Sequence, residues 1–390
     1  MSSATDKARF FLEKSVPELK EYESKKIFTK EEITAIIKKR SDFEHKLNAR
    51  GAKPVDFVRY VEYEINLEAL RRMRVKRMGI RAPGHSGTRR IFFVLERATR
   101  RFQGDLNLWI QYIEYARKQK SYKKLSMIFT DALRLHPTSA ELWIYAAKSV
   151  LDDQADMSQA RSYMQRGLRF CKNQQELWLQ YAKLELIYIT KLVARQQILG
   201  LTETRAKDSD EALDTNADMI AIPKITEQDI NPDGNAEAAE NAIETLNSTP
   251  ALSGAIPIAI FDAAMKNFQN DDRFGAEFYE MALEFENLPC LVTILGHVVD
   301  NMQTHQTTSF RTQICYIKFP TAGVRVTSPE FPRVLGSSFA RIKECQPLSN
   351  SLAKELVSWL KPLAETKDLD PSLKKAIIST ARNAERTLSE

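Results

Sequence analysis

The sequence predicts an all-α fold in which repeated pairs of helices stack into a solenoid. A Leu-Trp pair returns at a nearly fixed interval, with its tryptophans at Trp109, Trp143 and Trp178. The steps between them are 143 − 109 = 34 and 178 − 143 = 35 residues. Glycine and proline are few, 13 and 15 of 390 residues, which favours long helices over an all-β fold. Together these observations indicate tandem helix pairs.

Small residues recur at the same interval as the tryptophans. Ala98, Ala132 and Gly167 each follow a pair of apolar residues, and 132 − 98 = 34 while 167 − 132 = 35. Two patterns with one period define a repeat of two helices. We assign the tryptophan to the first helix and the small residue to the second, where only alanine or glycine allows a close approach. The predicted repeat core comprises Phe57, Tyr60, Trp109, Tyr112, Ala132, Trp143, Gly167, Trp178 and Tyr181.

Residues 1–52 are predicted to form an N-terminal helical segment of two or three amphipathic helices. Thr29 and Glu32 have the spacing of a capping box, and so do Ser15 and Glu18, with Pro17 in the permissive first turn. The polar faces carry both signs of charge. We therefore expect an interaction platform or a cap on the repeats.

Residues 53–200 are predicted to hold the repeats. The first copy is weaker, with Phe57 in the tryptophan position and Tyr60 in that of the tyrosine. Its distance to Trp109 is 109 − 57 = 52 residues, because a stretch rich in glycine and proline intervenes at 79–88. We expect that stretch to be a loop. An aromatic residue at a fixed repeat position is expected in the core between helices, and not as a platform for stacking bases.

Composition changes sharply near residue 201. Between Glu203 and Pro250 there are twelve acidic residues, three basic ones and no aromatic ring. Such a segment buries too little apolar area to offset the entropy lost on ordering. Residues 201–252 are therefore predicted to be an acidic, mostly disordered linker.

Residues 253–390 are predicted to form a C-terminal helical region. Segments 256–268 and 274–283 resemble a repeat pair, with Ala282 as the small residue. The stretch 303–340 holds three prolines among β-branched residues and is expected to be irregular. Near the end, Asp370 followed by Pro371 has the pattern of a helix start.

Composition and motifs favour a non-enzymatic protein. Five histidines and four cysteines are scattered without metal-ligand spacing, and no glycine-rich phosphate loop or nucleophile elbow occurs. No apolar run approaches the ~20 residues of a membrane span. We expect reduced thiols, no metal, no cofactor, no membrane association and no small-molecule substrate.

One stretch is strongly basic. Eleven basic residues lie between Arg71 and Arg101, against Glu96 alone. They could neutralise RNA phosphates, act as a nuclear import signal at residues 71–77, form a solvated face, or pair with acidic residues of a neighbouring repeat or partner. The residues proposed for an RNA or partner surface are Arg71, Arg72, Arg74, Lys76, Arg77, Arg81, Arg89 and Arg90.

The repeat pattern resembles the half-a-tetratricopeptide (HAT) repeat of RNA-processing proteins. A glutamate stands four residues after the tyrosine at Tyr60/Glu64 and Tyr181/Glu185, and Gln111 replaces the glycine that a tetratricopeptide repeat would carry before its tyrosine. Segments 16–19, 26–33, 57–64, 70–72 and 75–77 are similar to HAT-repeat subunits of the UTP-B assembly in the small-subunit processome. The resemblance covers roughly residues 10–200, and 250–300 more loosely.

This resemblance implies a non-enzymatic scaffold of the nucleolus, within the nucleus. It implies WD-repeat propeller subunits as partners, and contact with pre-ribosomal RNA and box C/D small nucleolar RNA, directly or through those partners. Two alternatives stay open: a HAT scaffold of pre-mRNA splicing or 3′-end processing, and a module that binds RNA directly.

Overall fold

The predicted all-α fold is confirmed. The computed structural model describes residues 4–80, 86–198, 252–285, 288–366 and 369–389, and within these ranges the regular structure is helical, with no strand. The chain divides into two compact units, residues 1–142 and 143–390.

The first unit is a succession of helices, most of which pack on the next helix in the chain. Helices α3 to α7 pack in chain order, and the short helices α1 and α2 lie on α3. The helices are α1 (Ala4–Glu13), α2 (Val16–Ser24), α3 (Lys30–Asn48), α4 (Pro54–Met78), α5 (Ser86–Arg101), α6 (Leu106–Lys118) and α7 (Tyr122–Leu135). Helix α8 (Ala140–Gln154) begins at the end of this unit.

One predicted capping box is confirmed and the other is wrong. Thr29 accepts a hydrogen bond from the backbone of Glu32, whose carboxylate accepts one from the Thr29 backbone. Ser15 instead donates its hydroxyl to the carbonyl of Leu12, at 2.6 Å. Glu18, its expected partner, is engaged by arginines of other helices.

The second unit is also built from successive helices. Its helices after α8 are α9 (Met157–Phe170), α10 (Gln175–Ile198), α11 (Ala255–Asn267), α12 (Asp272–Leu283), α13 (Leu291–His305), α14 (Phe310–Lys318), α15 (Phe331–Glu344), α16 (Asn350–Glu365) and α17 (Pro371–Ser389). Helix α11 packs mainly against α10 and less against α12. The expected pairing of 256–268 with 274–283 is therefore secondary to the pairing of α11 with α10.

The stretch 303–340 is mostly helical, contrary to the expectation of irregular structure. Its non-helical residues are confined to 306–309 and 322–330. Pro332 lies in the first turn of α15, and Pro320 in a short 3-10 turn (Phe319–Thr321). A proline in a first turn removes no intrahelical hydrogen bond, so these prolines begin helical turns.

Two sequence predictions concern segments that the structure describes only in part. The predicted loop at 79–88 extends too far, because α5 already begins at Ser86; α4 ends at Met78 as expected, and Gly79 adopts φ +64°. Arg81 lies outside the described residues. The acidic linker 201–252 also falls almost wholly outside them, so its flexibility stays a prediction.

The repeat pattern extends to hydrogen bonds that the sequence does not display. Trp109 donates its indole N–H to the carbonyl of Gln103, at 3.1 Å, and Trp178 donates to that of Lys172, at 3.0 Å. In both cases the acceptor lies six residues earlier. Each indole thus closes the turn that leads into its own helix.

Gly167 has no room for a side chain, because the indole of Trp143 lies against it. A Cβ atom built there would lie 2.9 Å from Cγ of Trp143 and 3.0 Å from its Cβ. These indole atoms lie next to the helix backbone and cannot swing away. Helices α8 and α9 therefore approach as closely as a missing side chain allows.

An arginine–glutamate pair with a buried carboxylate recurs between successive helices. Arg40 of α3 makes two hydrogen bonds with Glu64 of α4, at 2.7 and 2.8 Å. Arg161 of α9 makes two with Glu185 of α10, at 2.7 and 2.6 Å. Both pairs span 24 residues. Helix α3 thus precedes α4 as α9 precedes α10, which relates part of the N-terminal segment to the repeats.

Replacing Gly167 with alanine is expected to lower the free energy of unfolding by about 1–3 kcal/mol, because the new methyl group would overlap the Trp143 indole. Gly336→Ala in α15 is the matched control, since no atom lies within 4 Å of a Cβ there. Its gain in helix propensity should stabilise the protein by about 0.5–1 kcal/mol. Urea unfolding followed by circular dichroism measures both. A shift in the same direction for the two variants would contradict the close approach.

Replacing Arg40 with leucine is expected to cost about 3–5 kcal/mol of stability, because it leaves buried carboxylates without a counter-charge. Arg161→Leu should cost less, since 29% of the Arg161 side chain is exposed, against 0% for Arg40. Arg9→Leu, on an arginine that is 81% exposed, serves as the control and should cost less than ~1 kcal/mol. Chemical unfolding of the three variants should rank them in this order, and an Arg40 variant no weaker than the Arg9 variant would refute the role of the pair.

Candidate interface of the basic stretch

The basic stretch does not form one surface, because several of its arginines are used inside the fold. Arg71 is 3% exposed, and its Nε and Nη2 atoms both donate to Glu68, at 2.7 Å each. Glu68 is itself buried and also accepts from Arg72, at 2.8 Å. Two cations thus surround one buried carboxylate on α4.

Arg74 connects α4 to the start of α3. Its Nη1 and Nη2 atoms donate to the two oxygens of Glu32, at 2.7 Å each, and Nη1 also donates to the carbonyl of Ile27, at 3.1 Å. The guanidinium carbon lies 4.8 Å from the centre of the Phe28 ring. Hydrogen bonds from Arg74 and from the Thr29 backbone lower the pKa of Glu32 to about 2. One carboxylate therefore both caps α3 and fixes α4 against it.

Glu18 of α2 is held by two arginines from other helices. Its Oε2 atom lies 3.2 Å from Nε of Arg90 and 3.5 Å from Nη1 of Arg40. Tyr22 donates its hydroxyl to the other oxygen of Glu18. Burial acts to raise the pKa of Glu18, but the two guanidinium groups and the tyrosine hydroxyl outweigh it and the pKa is lowered. Glu18 is thus a mostly buried carboxylate anion matched by cations from α3 and α5.

The C-terminal half of α5 is bound in the same way. Arg97 donates to both oxygens of Glu44 on α3, at 2.9 and 3.0 Å, and its guanidinium lies 3.8 Å from the Phe11 ring centre. Arg101 donates to the carbonyls of Leu47 and Ala49, at the end of α3. Arginines of α5 therefore hold α5 in contact with both α1 and α3.

These contacts correct the surface prediction for Arg71, Arg74 and Arg90, because each is occupied by an internal carboxylate. Of the predicted alternatives, pairing with an acidic residue of a neighbouring helix applies to Arg74 and Arg90, whereas Arg71 pairs with Glu68 of its own helix. The sequence could not reveal this, since the partners of Arg74 and Arg90 lie 42 and 72 residues away.

The remaining residues form what we call the basic rim: Arg72, Lys76, Arg77 and Arg89. Lys76, Arg77 and Arg89 are exposed and form no ion pair with another described residue. Half of the Arg72 side chain is exposed, although it also donates to Thr88 and Gln119. The rim covers the last turns of α4 and the first turns of α5.

Exposed apolar side chains accompany the rim on α4. Met73 is 63% exposed, and Leu70 and Met78 are about two-fifths exposed, at 37% and 42%. Leu70, Met73 and Arg77 follow one another at helical spacing, so they share one side of α4. Flexible thioethers beside cations suit a protein partner whose surface is apolar and acidic.

The described residues hold no cluster of three His, Cys, Asp or Glu side chains that could bind a metal ion. Cys171, Cys290 and Cys315 are buried thiols, and burial raises the pKa of each, that of Cys315 to about 12. A raised pKa leaves little thiolate to react. No described helix has the length and apolar content to cross a lipid bilayer.

The predicted repeat-core residues lie as follows. Phe57, Tyr60, Trp109, Tyr112, Ala132, Trp143 and Tyr181 are buried, each at most 7% exposed. Gly167 is buried beneath the Trp143 indole. Trp178 differs, because it is only half-buried.

The ion pair of Glu32 makes stability depend on pH. Its folded pKa of about 2 lies below the ordinary 4.5, so its stabilisation is present above about pH 4.5 and is lost as pH falls towards 2. Glu32→Gln is expected to reduce the loss of stability across this window. Glu31→Gln removes a neighbouring exposed carboxylate that contacts no arginine among the described residues, and should keep the wild-type profile. Urea midpoints measured from pH 6 to pH 2.5 test this, and identical profiles for the two variants would contradict it.

Comparison with known proteins addresses the same part of the chain. Residues 12–101 match the family described as U3 small nucleolar RNA-associated protein 6. This range runs from α1 to the last residue of α5. It contains both partners of every ion pair that joins two different helices among α2–α5.

Similar proteins carry the same description. U3 small nucleolar RNA-associated protein 6 of Schizosaccharomyces pombe is 38% identical over 247 residues, covering 60% of this chain and 51% of that protein. The human homologue is 35% identical over 185 residues, or 46% of this chain and 31% of that protein. The Dictyostelium discoideum homologue is 27% identical over 283 residues, or 72% and 46%.

The chain spans about half the length of the fission yeast and Dictyostelium relatives, and less of the human one. The family match covers helices that are joined by their own ion pairs. By this match and these relatives, the chain is similar to U3 small nucleolar RNA-associated protein 6, most clearly over the helices of residues 12–101.

Proposed function

We propose that this chain is a non-catalytic scaffold of nucleolar ribosome biogenesis, working in a particle that contains U3 small nucleolar RNA. The observation that carries this proposal is the family match over residues 12–101. The name of these relatives describes them as associated with that RNA. Transfer to this chain is supported because the matched helices are joined to one another by ion pairs.

The finer proposal concerns partners. We propose that the chain joins WD-repeat propeller subunits of the UTP-B part of the small-subunit processome on nascent pre-ribosomal RNA, and so supports maturation of small-subunit ribosomal RNA. The basic rim and the exposed Leu70 and Met73 support a protein contact at α4. Cations around an apolar centre would accelerate docking and select an acidic partner surface.

The buried ion pairs support a scaffold role physically. Arg40, Arg90 and Arg97 each bind a carboxylate on another helix and are at most 17% exposed. Separating those helices would leave charges without partners in the interior. The α2–α5 assembly therefore presents its surface from one fixed arrangement, which suits a protein that holds others in place.

Co-purified RNA tests the proposed particle. A tagged full chain isolated from nuclear extract is expected to enrich U3 small nucleolar RNA and pre-ribosomal RNA over spliceosomal RNA and messenger precursors. Sequencing of the bound RNA, with an untagged extract as background, gives the ratio. Enrichment of spliceosomal RNA or messenger precursors instead would overturn the proposal in favour of a splicing or 3′-end-processing scaffold.

Charge reversal at the basic rim tests the partner surface. Lys76→Glu, Arg77→Glu and Arg89→Glu together should keep the helix content and reduce recovery of the complex about threefold or more, if each exposed contact contributes ~0.2–1 kcal/mol. A control with the same change of charge in the same unit is Lys20→Glu, Lys38→Glu and Lys39→Glu, all on exposed residues.

Nuclease treatment separates the two causes of such a loss. We expect the wild-type chain to stay with its protein partners after RNA digestion, because the rim surrounds apolar side chains. Release by nuclease would assign the rim to phosphate contact. Equal recovery of the rim variant and its control would leave the rim a solvated face.

A further inference from the structure

Trp178 departs from the pattern that its position predicts. Its equivalents Trp109 and Trp143 are each 5% exposed, whereas Trp178 is only half-buried. Phe170 lies parallel to the Trp143 ring at 6.1 Å, with an interplanar angle of 10°. Phe268 instead meets Trp178 edge-on, at 6.5 Å and 79°. The third indole is therefore covered less than the others.

A groove of about 450 Å³ lies beside this indole, between helices α9, α10 and α11. Its volume falls within the range of natural ligand sites, roughly 300–1,000 Å³. Asn267 of α11 donates to the carbonyl of Lys172, at 2.9 Å, and the Trp178 indole donates to the same carbonyl. These two hydrogen bonds fix the walls of the groove relative to one another.

Three cations line the same groove: Arg169, Lys172 and Lys266. All three are exposed and form no ion pair with another described residue. They differ in this from Arg161 and Lys183 of the same helices, which bind Glu185 and Glu284. The groove thus combines a partly open aromatic ring with cations that form no ion pair within the part of the chain that the structure describes.

We propose that this groove binds a short single-stranded segment of RNA. One base would lie against the Trp178 indole, and the phosphates on either side would meet Arg169, Lys172 and Lys266. Sites for single strands pair stacking aromatic rings with basic side chains that follow the backbone. The choice of RNA rests on the proposed function, whereas the chemistry of the groove suits any single strand with splayed bases.

A duplex fits this groove poorly. The bases of a duplex are stacked on one another, so none is free to enter a recess between helices. An acidic peptide would satisfy the cations but would leave the indole without a ring to stack on. Sensitivity to both Trp178 and the cations therefore distinguishes single-stranded RNA from these ligands.

The first test is binding of a fluorescent twelve-nucleotide oligouridylate to the purified full chain, measured by anisotropy. Arg169→Glu with Lys266→Glu should weaken binding at least tenfold. It should also reduce the slope of log K against log salt concentration by about 1.4, since each neutralised phosphate of a single strand adds about 0.7 to that slope. The matched control is Arg333→Glu with Lys354→Glu, two exposed residues of the same unit, for which we expect less than a threefold change.

The second test isolates stacking. Trp178→Leu should weaken binding about fivefold or more, because stacking of one base contributes ~1–3 kcal/mol, while Trp178→Phe should retain most of the affinity. Thermal unfolding of each variant checks the fold. If Trp178→Leu unfolds, the charge-reversal pair and the phenylalanine variant still decide the result.

Several outcomes would overturn the groove proposal: no binding of the oligonucleotide, equal losses in the reversal pair and its control, or tighter binding of a duplex. Binding of an oligo-aspartate that depends on the cations but not on Trp178 would make the groove an acidic-peptide site and would also overturn it. None of these outcomes affects co-purification of U3 small nucleolar RNA through protein partners. Conversely, intact binding by the groove without enrichment of that RNA would reject the proposed function alone.

Discussion

The buried salt bridge between Arg40 and Glu64 is the interaction on which the N-terminal half depends. Both side chains are at most 1% exposed, and the same guanidinium lies 3.5 Å from Glu18. Charges so deeply buried are tolerated only when their partners are in place. Helices α2, α3 and α4 must therefore hold one register, and Arg90 extends this requirement to α5. Apolar packing alone would allow one helix to shift along another, whereas such a shift would separate the buried ion pairs.

This constraint changes how a charged stretch in a helical-repeat protein should be interpreted. Eleven basic residues between Arg71 and Arg101 look like a polyanion surface, yet three of them neutralise carboxylates of other helices and a fourth binds a carboxylate of its own helix. What is left for partners is the smaller basic rim, next to Met73 and Leu70. A partner would thus meet a mixed surface, and its affinity would depend on salt less than the number of charges suggests.

The sequence predicted the features that rest on local or periodic patterns. The helix pairs, the buried Trp109 and Trp143, and the capping box at Thr29 follow from spacing alone, and the structure has all of them. Ion-pair partners could not be predicted, because they are brought together by packing across 24 to 72 residues. The Ser15 capping box failed for the same reason, since Glu18 is held by distant arginines. The stretch 303–340 was misjudged because prolines that begin helical turns resemble prolines that break them.

Trp178 shows why a repeat position does not determine exposure. After Trp109 and Trp143 the chain returns at once with the second helix of the pair, whereas after α10 the next described helix begins at Ala255. Helix α11 then supplies Ala263, Lys266 and Asn267 beside the indole, where α9 supplies Phe170 to cover Trp143. One spacing thus yields two buried rings and one open ring, according to which helix arrives next. In a repeat protein, the departures from the period are where a binding site can form without loss of the shared core.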